Sequence, residues 1–96
     1  MDEPTQQILG VARSFPCLRV KLLNYNPERF EPERFRKRSG YWSSGEQRLA
    51  RFVLTVWNSS WAREHGCLFD FAQDVVGLDG IHRAALAAWV TDPLFP

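Results

Sequence analysis

The residues of this chain best suited to covalent or metal chemistry are Cys17, His65, Cys67 and His82. As a zinc set they miss the usual spacing. Structural sites bring their ligands in close pairs such as C-x2–4-C and H-x3–5-H, and here only His65 and Cys67 are neighbours. As a nucleophile, Cys67 would take His65 or His82 as its base, oriented by Asp70 or Asp79. A reactive thiolate needs an electropositive, partly exposed setting, whereas Cys67 precedes Leu68-Phe69 with acids following. Free cysteines are among the most often buried residue types. Both are therefore expected in the core, with no catalytic residue, no metal and no cofactor. The sequence contains no G-x-S-x-G, P-loop, G-x-G-x-x-G or H-E-x-x-H pattern.

The second chemical feature is charge interleaved with aromatics. Arg34-Phe35-Arg36-Lys37-Arg38 runs almost directly into Gly40-Tyr41-Trp42. Residues 17–38 carry seven Lys and Arg against three Glu, a local balance of +4, and residues 39–96 carry four Arg against six acids, a balance of −2. Cations that hold phosphates beside rings that stack on bases suit a single-stranded nucleic acid. The whole chain has a net charge of only +1, and RNP-like and helix-turn-helix patterns are absent, so RNA or DNA binding is the alternative reading. The leading one is a protein interface built from Arg34, Arg36, Lys37, Arg38, Tyr41, Trp42 and Trp61, because Trp and Arg together are the composition of interface hot spots. Its expected partner is a protein with an acidic surface.

These residues must be positioned by helices. Ser43 to Ser60 reads as a capped amphipathic helix. Leu49, Ala50, Phe52, Val53, Leu54, Val56 and Trp57 share an arc of roughly 200°, twice the stripe of a helix with one neighbour. Gln47, Arg48, Arg51, Thr55 and Asn58 fill the solvent side. Such a helix belongs at the centre of a fold. Ser43-x-x-Glu46 and Ser44-x-x-Gln47 are overlapping capping boxes, of which only one can be used.

Around it, residues 5–14 read as a first helix stopped by Pro16. Residues 17–23 alternate as a strand, Leu18, Val20 and Leu22 on one side, that could pair with Lys37 to Trp42 in a two-stranded ribbon. Pro27-Glu28-Arg29-Phe30 and Pro32-Glu33-Arg34-Phe35 form a short duplication, read as two single turns each pinned by its phenylalanine. Phe69 to Val76 reads as a helix with Phe69, Phe71, Ala72, Val75 and Val76 inward and Asp70, Gln73 and Asp74 outward. Gly77 is its expected left-handed stop. Asp79 then caps a last helix over about 80–91 whose alanines would admit a close neighbour.

Ninety-six residues at 45% hydrophobic and 14% aromatic composition point to one small domain with a real core. The expectation is a mainly α, compact bundle of about four helices around the central one, with the possible ribbon. The amino terminus is acidic and no stretch nears the ~20 apolar residues of a membrane span. A cytoplasmic protein that does not enter membranes is expected. In function the sequence reads as a non-catalytic protein-binding module, an inhibitor or adaptor of a larger complex. In size, and in its lack of motifs, it is comparable to bacterial or phage anti-defence inhibitors of the anti-CRISPR type. A Cys67 or zinc-dependent activity is the third reading.

Overall fold

A computed structural model describes residues 1–95. Seven helices account for its regular structure: α1 (Glu3–Arg13), α2 (Pro16–Lys21), α3 (Pro32–Ser39), α4 (Ser44–Trp57), α5 (Ser59–Glu64), α6 (Phe71–Val76) and α7 (Gly80–Thr91). No strand occurs among the described residues, and no helix is long and apolar enough to cross a membrane.

The central helix is as the apolar arc requires. Leu49, Ala50, Phe52, Val53 and Leu54 are buried, and α4 packs against α1, α2, α3 and α5. Its start uses the first of the two possible boxes: Ser43 Oγ accepts from the Glu46 amide at 3.3 Å, and the Ser43 amide donates to Glu46 Oε1 at 2.9 Å. Ser43→Ala therefore lowers stability by about 1 kcal/mol, read as a denaturant midpoint, while Ser44→Ala leaves that midpoint in place.

Four helices become seven because prolines and caps divide the chain more finely than periodicity suggests. The ribbon is replaced by helix on both of its sides. Residues 16–21 form α2, which buries Leu18 and Leu22 and leaves Val20 exposed, and the proposed partner segment begins inside α3. Pro16 ends one helix and also occupies the first turn of the next, where its missing N–H and fixed φ cost nothing. The i, i+4 spacing of Leu18 and Leu22 thus overrides the alternation. Arg13, at the end of α1, closes the far end of α2 by donating to the Leu22 and Tyr25 carbonyls at 3.0 and 2.6 Å.

The duplicated segment divides unevenly. Pro32 opens the eight-residue α3, whereas residues 28–29 only bend. Each copy nonetheless delivers its phenylalanine to the core. Phe30 and Phe35 are buried with centroids 5.3 Å apart, and the Phe30 amide is satisfied by the buried Thr5 hydroxyl at 2.8 Å. Phe52 is the hub of the other half of the core, edge-on to Phe15, Phe69 and Trp89 at 5.6, 5.3 and 5.0 Å.

Gly77 does not take the left-handed conformation; its φ is −80°. The left-handed glycine is Gly66, at φ 67°, just beyond α5. Gly77 is small for another reason: a Cβ there would collide with the Arg48 guanidinium, which lies over it.

Candidate functional site

The seven sequence-derived interface residues do not form one surface. On α3, Phe35 and Ser39 are the buried positions. At 100° per residue, Arg34 and Arg38 flank that stripe on one side, Arg36 lies on the other, and Lys37 points away. Much of the charge is matched locally. Arg34 pairs with Glu31 and Arg36 with Glu33, each at 2.9 Å, and Arg38 sits over the Tyr25 ring at 5.0 Å. Lys37 is exposed and makes no ion pair among the described residues. Trp42 is half-buried edge-on against Phe35, and Trp61 is half-buried and stacked on His65. Of the three aromatics in that set, Tyr41 alone projects freely, 95% exposed.

The thiols and imidazoles separate into different neighbourhoods. His65 is held against α5, its Nδ1 2.8 Å from the Trp61 carbonyl. His82 belongs to Cys17 and Asp79. Its Nδ1 meets Asp79 Oδ1 at 2.7 Å, and its Nε2 accepts the Cys17 backbone N–H at 3.1 Å. A proton on Nδ1, facing a carboxylate, leaves Nε2 as the acceptor. His82 thereby caps α2, whose Phe15 N-cap offers no side-chain bond. Cys67 is buried and bonded to neither histidine. Burial pushes the Cys67 thiol pKa up despite Arg36 nearby, and burial followed by Glu46 does the same to Cys17. Both shifts oppose the thiolate that nucleophilic chemistry needs. Among the described residues no three His, Cys, Asp or Glu side chains converge as metal ligands. A cleft of about 240 Å³ does open beside His82, lined by Cys17, Ser43, Glu46, Leu49 and Leu78, but its polar groups are engaged in helix caps.

The largest departure from the sequence reading is in α6: Phe69 and Val75 pack half-buried against the core and Asp70 and Gln73 face solvent as expected, but Asp74 turns inward while Phe71, Ala72 and Val76 turn outward. Its single buried residue is Asp74, 3% exposed. The Asp74 carboxylate receives Arg51 at 2.7 and 3.4 Å, Arg48 at 3.1 Å and the Asp70 amide at 2.9 Å. Arg48 also donates to the Gln73 carbonyl at 3.2 Å. Burial raises the Asp74 pKa, but the bond from Arg51, the Asp70 amide and the two positive charges outweigh it and hold the carboxyl below its ordinary range. Arg48 and Arg51, assigned to solvent from the helical wheel, are instead clamps on α6. With Asp74 inward, Phe71 is 68% exposed and Val76 73% exposed.

The start of α7 also leaves an apolar side chain in water. Ile81 is 67% exposed, and Leu86 is the one buried residue of α7. A helix apolar nearly all round is normally enclosed. Here its inner side meets Phe52 through Trp89, and the chain end folds back so that the Leu94 carbonyl accepts from Trp89 Nε1 at 3.2 Å. No protein-family model, curated protein or solved structure matches the chain.

Proposed function

We propose that the chain is a non-catalytic protein-binding module, an inhibitor or adaptor of a larger assembly, which docks its partner through the outward face of α6 and the start of α7. The observation that carries this reading is the orientation of α6. Burying Phe71 and Val76 would each stabilise the fold by about 1.5–3 kcal/mol, yet the helix turns its carboxylate inward and gives both to solvent. Phe71, Val76 and Ile81, left in water, supply the apolar side chains a docking surface needs. A protein suits it better than a nucleic acid, because Arg83 is the one Lys or Arg in residues 67–95 and its Nε and Nη2 donate to the Val75 and Val76 carbonyls at 3.1 and 2.9 Å.

The basic segment supports a second reading, RNA or DNA binding, through Lys37 and the freely projecting Tyr41. Pull-down from a lysate of the source cells, with and without nuclease, separates the two. Recovery of a protein in both lanes, lost when Phe71 and Val76 are both changed to Ser, is the expected result. Nuclease-sensitive recovery that survives those changes and is lost when Arg34, Arg36, Lys37 and Arg38 become Gln would replace the first reading with the second.

A further inference from the structure

We infer that His82 is a proton-operated link between α7 and α2: neutral, it holds the first turn of α2, and protonated, it lets go. The ring is fixed from its own helix. Asp79 Oδ1 accepts both the His82 amide at 2.9 Å and Nδ1 at 2.7 Å, so one carboxylate oxygen sets the start of α7 and the direction of the imidazole. Nε2 then accepts the Cys17 backbone N–H at 3.1 Å. An imidazole keeps an acceptor nitrogen only while it is neutral; the imidazolium is a donor at both positions. A second proton therefore sets two donors against each other, Nε2–H against the Cys17 N–H. Turning the ring aside would break its bond to Asp79, which the added charge strengthens. The Cys17 bond is the one that yields. On the α2 side nothing replaces it, since the Phe15 cap offers no side-chain bond, and a helix of six residues is marginal without its caps.

The titratable groups around the ring come from three elements. Asp79 caps α7, Glu46 lines the same cleft from α4, and the Cys17 thiol stands on α2. Both carboxylates attract a charged ring, and Lys21, 3.9 Å from Glu46, offsets part of the second. Burial and Glu46 push the Cys17 thiol pKa up, so the thiol stays neutral in mild acid and adds no charge. Arg83, the next residue, is turned away to the Val75 and Val76 carbonyls. The His82 side chain keeps 14% of its surface and Asp79 65%, which gives protons a route to the pair. Release is local, because farther along α7 Leu86 stays buried and Trp89 stays edge-on to Phe52. Acid thus frees one wall of the cleft of about 240 Å³ beside His82 and leaves the core closed.

The test is NMR of the full chain from about pH 8 to about pH 5, the interval in which histidine changes charge. It follows the His82 ring signals and the hydrogen exchange of single amides, corrected for the intrinsic pH dependence of exchange. The Cys17 amide loses about tenfold in protection, the worth of roughly one hydrogen bond, along the same curve as the His82 ring. The Val53 amide, in the middle of α4, keeps its protection. In His82→Ala the Cys17 amide is poorly protected at both ends of the range, with no step between. A ring that takes up its proton while Cys17 protection stays constant overturns the inference, and so does a ring that stays neutral down to about pH 5. A Cys17 amide that is fully protected in His82→Ala, or that still steps with pH there, overturns it too. Loss of Val53 protection along the same curve would mean that the whole chain opens and that no local link exists.

Discussion

Phe52→Ala lowers the free energy of unfolding by about 3–5 kcal/mol, a large share of what a domain of this size holds in reserve. Phe52 is 6% exposed and is the ring at which the start of α2, the segment before α6, and α7 meet, through Phe15, Phe69 and Trp89. Removing it takes away its own transfer energy and leaves three aromatics around a cavity that none of them can fill without shifting a helix. Tyr41→Ala is the control: its ring is almost wholly in water, so the midpoint moves little. Urea or guanidinium midpoints for the two variants settle the matter, and equal losses would mean that the aromatic cluster is not the core.

Asp74→Asn produces the second large effect, about 2–4 kcal/mol. Breaking one partner of a buried ionic cluster leaves uncompensated charge, and the lower part of that range is favoured because Arg48 and Arg51 keep 28% and 31% of their side-chain surface. The loss carries a pH signature. The folded-state pKa of Asp74 lies below its usual value, so between the two values the unfolded chain binds the proton that the folded chain does not. Its contribution is therefore fully present above the ordinary carboxylate range, near pH 4, and fades as pH falls through the lowered value. The difference in stability between the native chain and Asp74→Asn is largest near neutrality and shrinks in acid. A difference independent of pH down to pH 2 would show that the carboxylate's charge contributes nothing. Because Asp74 orients α6, the same variant also weakens binding at Phe71 and Val76.

The helices were legible wherever one physical signal dominated. The central helix announced itself by its wide apolar arc and by Ser43-x-x-Glu46, and the last by Asp79 and the approach to Asp92-Pro93. Residues 17–23 were not legible as a helix because so short a segment fits both periods. What decides it is distant: Arg13 closes one end and His82 caps the other. The orientation of α6 was misread for a related reason. A helical wheel assigns inward faces by hydrophobicity alone, and it does not register the two arginines on α4, 26 and 23 positions before Asp74, that hold the carboxylate inward. The candidate site suffered most from this. Sequence counting gave residues 34–38 four free cations, whereas Glu31, Glu33 and Tyr25 engage three of them.

The bond from the Cys17 amide to His82 spans 65 positions, and it sets an order of events as the chain is made. A ribosome releases the first turn of α2 65 positions before the imidazole that completes it. Until then α2 has an unfilled donor and α4 lacks the Trp89 ring that covers Phe52. Domains acquire their structure from the amino end as synthesis proceeds, and contacts this far apart in sequence slow the final step. A nascent chain stalled before residue 79 is thus expected to hold its first helices only loosely, open to proteases that the finished protein resists.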